Sequence, residues 1–463
     1  MLKGSQIGYR AAGPQKAVAP NDKNRSRVLG LTRYQWLVIA AAWLGWGFDV
    51  FDALLFNFVA PNCIPVLLDL APGSAEARSA TLYWTGVITS ILLVGWALGG
   101  VLFGLLADRI GRQRTLLITI LVYSAGTGLC AAANDISHLI AFRALASLGI
   151  GGEWAVGAAL VAESVPESRR IEAGAILYTA SPLGFALAGF LNYQIAGVWL
   201  VDSPESSWRF VFLSGLIPVA AAIGVRVFLR ESDRWQQAAR ESVAPPLSAL
   251  FAPGIRASTF SGLFTAVMAL LAWWSCNAFI PILASSLARD EALAGGLDAA
   301  ATTALVEAWK THAANWFSVG ALAGTLLAIP VAKRFGRRMM FAAYFALSLA
   351  AILANFGLDI PSEWRIRGYF AIGLGVYGIF AAFTFYLPEL FPTRLRGAGA
   401  GFCYNLGRIV TAAGPFLVGA VAMRAGGSSA DLLDTLLWVA AIPVIALVGT
   451  RWIVETKGRP LPQ

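Results

Sequence analysis

Apolar residues in this chain come in runs too long for a soluble fold. They fall at about 35–67, 83–107, 115–133, 137–162, 171–199, 209–229, 258–287, 312–332, 339–357, 366–390, 398–423 and 433–454. Each is long enough to cross a hydrocarbon layer ~30 Å thick as a helix rising ~1.5 Å per residue. The pattern predicts an all-α membrane protein with twelve transmembrane helices. The longest polar break, Arg230 to Arg256, divides the runs six and six. The expected organisation is a tail at 1–33, a six-helix bundle at 34–230, a linker at 231–256, a second bundle at 257–455 and a tail at 456–463.

Composition agrees, with 57% hydrophobic and 13% charged residues against ~25% charged in an ordinary soluble domain. A net charge of +9 would suggest a nucleic-acid partner in a soluble protein. Here the charges follow membrane topology instead. Of 35 Lys and Arg, 25 lie in the tails and even-numbered connections and only 7 in the odd ones, which puts both termini in the cytoplasm and the odd loops outside. The first 33 residues are polar and basic, and they read as a cytoplasmic tail rather than a signal peptide. Cys63, Cys130, Cys276 and Cys403 are far apart, with no metal-ligand spacing.

The halves repeat. Glu163, Pro166 and Arg170 recur 226 residues later as Glu389, Pro392 and Arg396, and Leu148-Gly149 recurs as Leu374-Gly375. Two like halves of six helices are the trace of a parallel duplication, which places a binding site near midplane between them.

Charges inside the spans are the candidate chemistry. Trp46-Gly47-Phe48-Asp49-Val50-Phe51-Asp52 sets two carboxylates within the first helix, three residues apart and so on one face. An ion at that depth costs ~2.5–3.5 kcal/mol, so each acid is a structural ion-pair partner, a proton carrier, or both in different states. Arg143 enters the fourth span from the outer side at a depth overlapping theirs. Glu153, deeper in the same helix, is either a second protonatable site or a hydrogen-bonded packing acid. In the eleventh span Arg408 is near midplane beside Asn405, with Tyr404, Thr411 and Pro415 on its face. No other helix of the second half carries an acid at midplane by this reading, so Arg408 points to an anionic ligand, which a guanidinium binds bidentately. Trp273, Trp274 and Asn277 of the seventh span, and Tyr377, Phe380 and Thr384 of the tenth, are packing residues or a ligand platform. His138 and His312 fall at outer span ends, in the interface.

Gly104-Leu-Leu-Ala-Asp108-Arg109-Ile-Gly111-Arg112-Gln-Arg114, between the second and third spans, resembles the G-x3-D-R-x-G-R loop of the major facilitator superfamily. The second half keeps only the basic end, Lys333-Arg334-Phe335-Gly336-Arg337-Arg338, with Lys333 where the acid would be and Ile329 for the glycine. The resemblance implies an inner gate formed by Gly104, Asp108, Arg109, Gly111 and Arg112, with Asp108 meeting a helix N-terminus of the other half, where an anion is favoured. Arg143-Ala-Leu-Ala-Ser147-Leu-Gly149-Ile-Gly151-Gly152-Glu153-Trp154 resembles the glycine-rich fourth helix of sugar and organic-acid porters, and its Gly-Gly-Glu-Trp end resembles bacterial metabolite, sialate and aromatic-acid proton symporters. Glu231-Ser-Asp-Arg234-Trp235 and Glu455-Thr-Lys-Gly-Arg459 resemble sugar-porter marks. In proton-coupled sugar porters the acid of a G-[FY]-D motif works with the helix-four arginine, so the resemblance implies that Asp49 and Arg143 meet in at least one state. The aromatic-acid motif D-G-[FY]-D has Trp46 in place of its first acid here.

The expected function is secondary active transport of a small organic anion by proton symport with alternating access, in the inner membrane, by a single chain. A sugar or polyol porter is the alternative. No cofactor and no metal is implied, and the absence of a nucleotide-binding loop excludes an ATP-driven pump.

Overall fold

A computed structural model describes residues 30–166, 169–220, 247–392 and 395–458, without the side chains at 108, 112, 154–160, 162, 163, 170 and 171. Asp108, Arg112, Trp154, Glu163 and Arg170 therefore lie, as side chains, outside the described residues, as do the motif at Glu231 to Trp235, Arg459 and most of both the first tail and the linker. The described chain forms α1 (Arg33–Leu67), α2 (Ala75–Ile110), α3 (Arg112–Cys130), α4 (Ile136–Ser164), α5 (Glu172–Trp199), α6 (from Pro204 to residue 220), α7 (Arg256–Ala294), α8 (Ala299–Phe335), α9 (Arg337–Gly357), α10 (Ser362–Thr384), α11 (Arg396–Ala425) and α12 (Ser429–Trp452). By length and composition alone nine of these described helices are long and apolar enough to cross a membrane; α3, α4 and α6 complete the twelve.

The first turn of α1 is set by local chemistry. Thr32 accepts from the Gln35 amide at 3.3 Å while Gln35 Oε1 accepts from the Thr32 amide at 2.9 Å, a reciprocal capping box that satisfies two donors left over at a helix start. Gln35 Nε2 reaches the Ser164 carbonyl at 3.0 Å, tying the start of α1 to the end of α4.

Glycines bring the helices of each half into backbone contact. A Cβ on Gly151 would overlap the Trp96 carbonyl, one on Gly149 the α3 backbone at Tyr123, and one on Gly184 the Gly47 carbonyl. Small residues thus let α4 lie directly on α2 and α3, and α5 on α1. Buried residues run from both halves into one shared core, so the halves meet along a seam lined by α1, α2 and α5 from one side and α7, α8, α10 and α11 from the other.

The spans differ from the hydropathy pattern at one place that matters below. The eighth apolar run is expected to start near residue 312, but α8 begins at Ala299. Two charged residues that look like loop, Glu307 and Lys310, are 1% and 0% exposed within it.

Candidate functional site

Prolines and glycines break four helices beside the seam. Pro182 has no N–H for the Tyr178 carbonyl one turn earlier, and Tyr377 Oη of the other half donates to that carbonyl at 3.4 Å. α7 is interrupted at Ala278 and Phe279 ahead of Pro281, α11 at Ala412 ahead of Pro415, and α10 passes from π (Gly373–Tyr377) to 3-10 geometry (Gly378–Thr384). Such breaks are tolerated at membrane depth only where neighbouring protein satisfies the backbone, and they collect at functional sites.

Residues next to these breaks enclose a central cavity of about 10 Å³, lined by Trp46, Val50, Trp96, Tyr178 and Ser181 from the first half and Leu270, Trp273, Trp274, Tyr377, Phe380, Tyr404 and Arg408 from the second. That is room for about one water. The walls are rings in mutual contact: Trp96 to Trp274 at 6.0 Å, Trp273 to Tyr377 at 5.6 Å and Tyr377 stacked on Phe380 at 5.3 Å. Arg408, 2% exposed, lies with its guanidinium carbon 4.4 Å from the Trp96 ring and 4.7 Å from the Tyr404 ring, and its Nη1 donates to Asn405 Oδ1 at 3.2 Å. Cation–π contact stabilises the charge where water is absent.

Of the residues expected to bind substrate, Arg408, Tyr404, Trp273 and Tyr377 line this cavity and Asn405 supports Arg408. Asn277 and Thr411 do not line it. Both are 0% exposed, and neither the Asn277 amide nor the Thr411 hydroxyl has a hydrogen-bond partner as donor or acceptor among the described residues. Trp46, Trp96, Tyr178 and Ser181 are lining residues that sequence reasoning missed, and the signal available for Tyr178 and Ser181 was Pro182.

The acids of α1 separate. Asp52 Oδ1 accepts from Arg143 Nη1 at 3.4 Å and, closely, from the Thr127 hydroxyl. Arg143 Nη2 donates to the carbonyls of Asp52 and Ala53 at 3.2 and 3.0 Å, and all three side chains are fully buried. In this state the partner of Arg143 is Asp52 and not Asp49. Three residues advance a helix by ~300°, so the two acids differ by ~60° in direction, enough for one to face α3 and α4 and the other the seam. Asp49 is 0% exposed and neither of its carboxyl oxygens is hydrogen-bonded among the described residues. The acids whose charge reaches it are Glu153 and Asp52, and the cation is Arg408. Glu153 packs against Gly45, one turn before Asp49, and accepts from Thr119 Oγ1 at 3.2 Å.

At the end away from the termini the halves are bonded together. Glu307 Oε2 lies 2.6 Å from Lys310 Nζ; Asn62 of α1 and Asn192 of α5 donate to Glu307 at 3.1 and 2.5 Å. Lys310 Nζ also donates to the Phe58 carbonyl at 2.9 Å. Glu307 is an acid within a second-half span, on α8, but it lies towards the far end and is already paired.

α2 and α11 report the same asymmetry. Ser90 Oγ donates to the Ala412 carbonyl at 2.6 Å, and Gly86 and Gly419 allow backbone contact beyond it. Gly100 still has Asn405 3.4 Å from its Cβ position, but on the same faces, one and two turns nearer the termini, Gly104, Gly401 and Gly397 have no atom within 4 Å. The two helices touch at the far end and diverge at the termini end. There Gly111 turns the chain with φ 99° and Gly336 does so with φ 91°, and Arg109 is exposed. In the second half Glu455 accepts from the amides of Arg337 and Arg338 at 3.0 Å each, an anion on the N-terminus of α9. Burial raises this carboxyl, but the amides of Arg337, Lys457 and Arg338 outweigh it and hold it below the ordinary glutamate range. Glu389 pairs bidentately with Arg337 at 2.6 and 3.0 Å.

Known proteins share this architecture. The profile of the family "Sugar (and other) transporter" matches residues 62–244. The chain is 30% identical over 420 residues to a probable 4-methylmuconolactone transporter of Cupriavidus pinatubonensis, covering 90% of each chain, and 27% identical to a gallate transporter of Pseudomonas putida, covering 90% of this chain and 92% of that one. The fold matches the crystal structure of a D-xylose–proton symporter with a TM-score of 0.68 at 17% identity, covering 92% and 100%. Twelve helices in two repeated sets, a loop of the Gly104 to Arg114 type and relatives alike over nearly their whole length leave one assignment: the chain is a secondary transporter of the major facilitator superfamily.

Proposed function

We propose that this multi-pass plasma-membrane transporter carries a small ring-bearing carboxylate together with protons, each chain acting as a monomer with its two six-helix halves rocking about the central cavity. The observation that carries the reading is Arg408, a buried cation in the wall of a cavity built almost wholly of aromatic rings. A carboxylate takes the edge of the guanidinium while a ring lies among Trp46, Trp96, Trp273 and Tyr377. The relatives named for 4-methylmuconolactone and gallate support cargo of this kind. Among the described residues the lining contains no carboxylate or carboxamide, the groups that bind a polyol's hydroxyls, which weighs against the sugar alternative.

Asp49 is assigned the proton. A buried carboxyl with no donor holds an uncompensated charge unless protonated. Ionised Asp49 and an arriving carboxylate also compete for the field of Arg408, so a proton on Asp49 favours the anion's binding and the two travel together. With the termini in the cytoplasm, closure at the far end and divergence of α2 and α11 at the near end make this an inward-facing arrangement, in which the loop from Gly104 to Arg112 borders the opening.

The test is calorimetric binding of benzoates and neutral sugars to purified wild type, Arg408→Gln and Arg408→Lys. Losing a charge-assisted hydrogen bond costs ~1.5–3 kcal/mol, or about one to two decades of affinity. Gln should weaken benzoate binding by that much and Lys, which lacks the fork, should recover only part. Unchanged affinity in folded Arg408→Gln would reject the role.

A further inference from the structure

A second pocket lies at the far end, on the seam, and is no part of the central cavity; its mostly apolar wall, with Pro61, Pro65, Leu82, Ile282 and Leu432, carries a cluster of donors. Its volume is about 40 Å³, and it is lined by Arg78 of α2, Arg289 of α7, Ser285, Ser286 and Ser428. One arginine comes from each half, and both reach Gly73: Arg78 Nη1 donates to the Gly73 carbonyl at 2.7 Å, and Arg289 Nη1 is 3.4 Å from the Cβ position of Gly73. Like charges are thus brought together at a place the molecule closes.

The nearby acids bond elsewhere, although the charge of Glu307 also reaches Arg289. Glu307 holds Lys310, Asp290 accepts from Ser429 Oγ at 2.6 Å, and Asp431 caps α12 by accepting from the Ser428 amide and hydroxyl at 3.0 and 2.6 Å. Arg289 makes no hydrogen bond or ion pair among the described residues, and Arg78 Nε is buried without an acceptor among them. Donors of two guanidinium groups and the hydroxyls of Ser285 and Ser286 surround a space of carboxylate size.

We propose that Arg78 and Arg289 form a second anion site, which takes the carboxylate group of a small solute and bridges α2 to α7 when the far end is shut. The site rests on its own residues and not on the role given to Arg408. A seated carboxylate neutralises the two charges and ties the halves together, so it stabilises the closed far end.

Benzoate is the probe, titrated calorimetrically into full-length protein in phosphatidylcholine nanodiscs, with Arg408→Gln as the background that removes the central site. One benzoate should still bind in that background. Adding Arg78→Gln and Arg289→Gln should weaken it about tenfold or more, while the paired Lys substitutions retain most of it. Ser286→Asp keeps both arginines, supplies a fixed carboxylate in the same pocket, and should abolish benzoate binding while raising the melting temperature, which separates site loss from misfolding. Unchanged affinity in the Arg78→Gln, Arg289→Gln protein overturns the site. Displacement of benzoate by phosphatidylglycerol in the nanodisc makes a lipid headgroup the occupant and overturns the solute assignment. Failure of the central reading looks different: Arg408→Gln would then bind benzoate as wild type does, and the Arg78 and Arg289 comparison would stand unaffected.

Discussion

Arg143 holds Asp52 and leaves Asp49 alone. The guanidinium Nη1 is 3.4 Å from Asp52 Oδ1 and Nη2 donates to the α1 carbonyls at Asp52 and Ala53, while the Asp49 carboxyl, one turn earlier, has no hydrogen-bond donor among the described residues. Two acids of one motif are thereby given different work. Asp52 belongs to a buried ion-pair network inside the first half, and Asp49 lies within the field of Arg408 of the second half.

Replacing Arg143 by Gln should therefore destabilise the protein severely, because it leaves Asp52 as an uncompensated buried charge. Breaking one side of such a pair costs about 3–5 kcal/mol. Asp49→Asn removes no partner and should leave the melting temperature within a few degrees of wild type. Thermal unfolding in detergent measures both, and equal losses in the two variants would contradict the division.

Asp49→Asn should retain counterflow exchange of substrate in proteoliposomes and lose accumulation driven by a pH gradient, since an amide of the same shape carries no proton. Full gradient-driven accumulation by this variant would transfer the proton to Asp52 or Glu153.

The Glu307–Lys310 pair should act as a unit. Lys310→Met leaves Glu307 buried with only the Asn62 and Asn192 donors and should cost about 3–5 kcal/mol, whereas the double variant Lys310→Met, Glu307→Leu should recover most of that loss. Because the pair joins α8 to α1 and α5, the double variant should also expose the far end more often. A cysteine placed at Ser79, which bonds to the Gly426 carbonyl across the seam at 3.3 Å, should label faster from outside in that background. An unchanged labelling rate would reduce the pair to a packing feature.

Glu455 supplies a pH dependence of known sign. Its folded carboxyl titrates below the unfolded one because three amides and Arg337 favour the anion. The folded state thus binds fewer protons, and the contribution is complete above the ordinary glutamate range near ~4.3 and lost as pH falls through the depressed folded value. Glu455→Gln should lower stability at neutral pH, where the contribution is complete, and flatten the acid limb of the stability–pH profile so that the two proteins converge at low pH. An acid limb identical to wild type would assign the transition to other carboxylates.

Sequence alone determined what depends on composition along one axis. Twelve spans, two repeated halves and the superfamily are written in run lengths, repeat spacing and the Gly104 to Arg114 loop, because a bilayer forces every span to be a long, mainly helical apolar run. The singling out of Asp49, Asp52, Arg143 and Arg408 follows from the same rule, since charge at that depth must have a purpose. Tertiary structure decided who faces whom. Run length says nothing about rotation, so a 60° difference in direction gave Arg143 to Asp52. Hydropathy treats a charge as the end of a span, so Glu307 and Lys310 were hidden until α8 was seen to bury them against the Asn62 and Asn192 amides. The lining at Trp96, Tyr178 and Ser181, and the meeting of Arg78 with Arg289, join residues more than 90 positions apart. Such contacts are set by how glycines and prolines let whole helices approach and break, a property of the packed bundle that no single stretch contains.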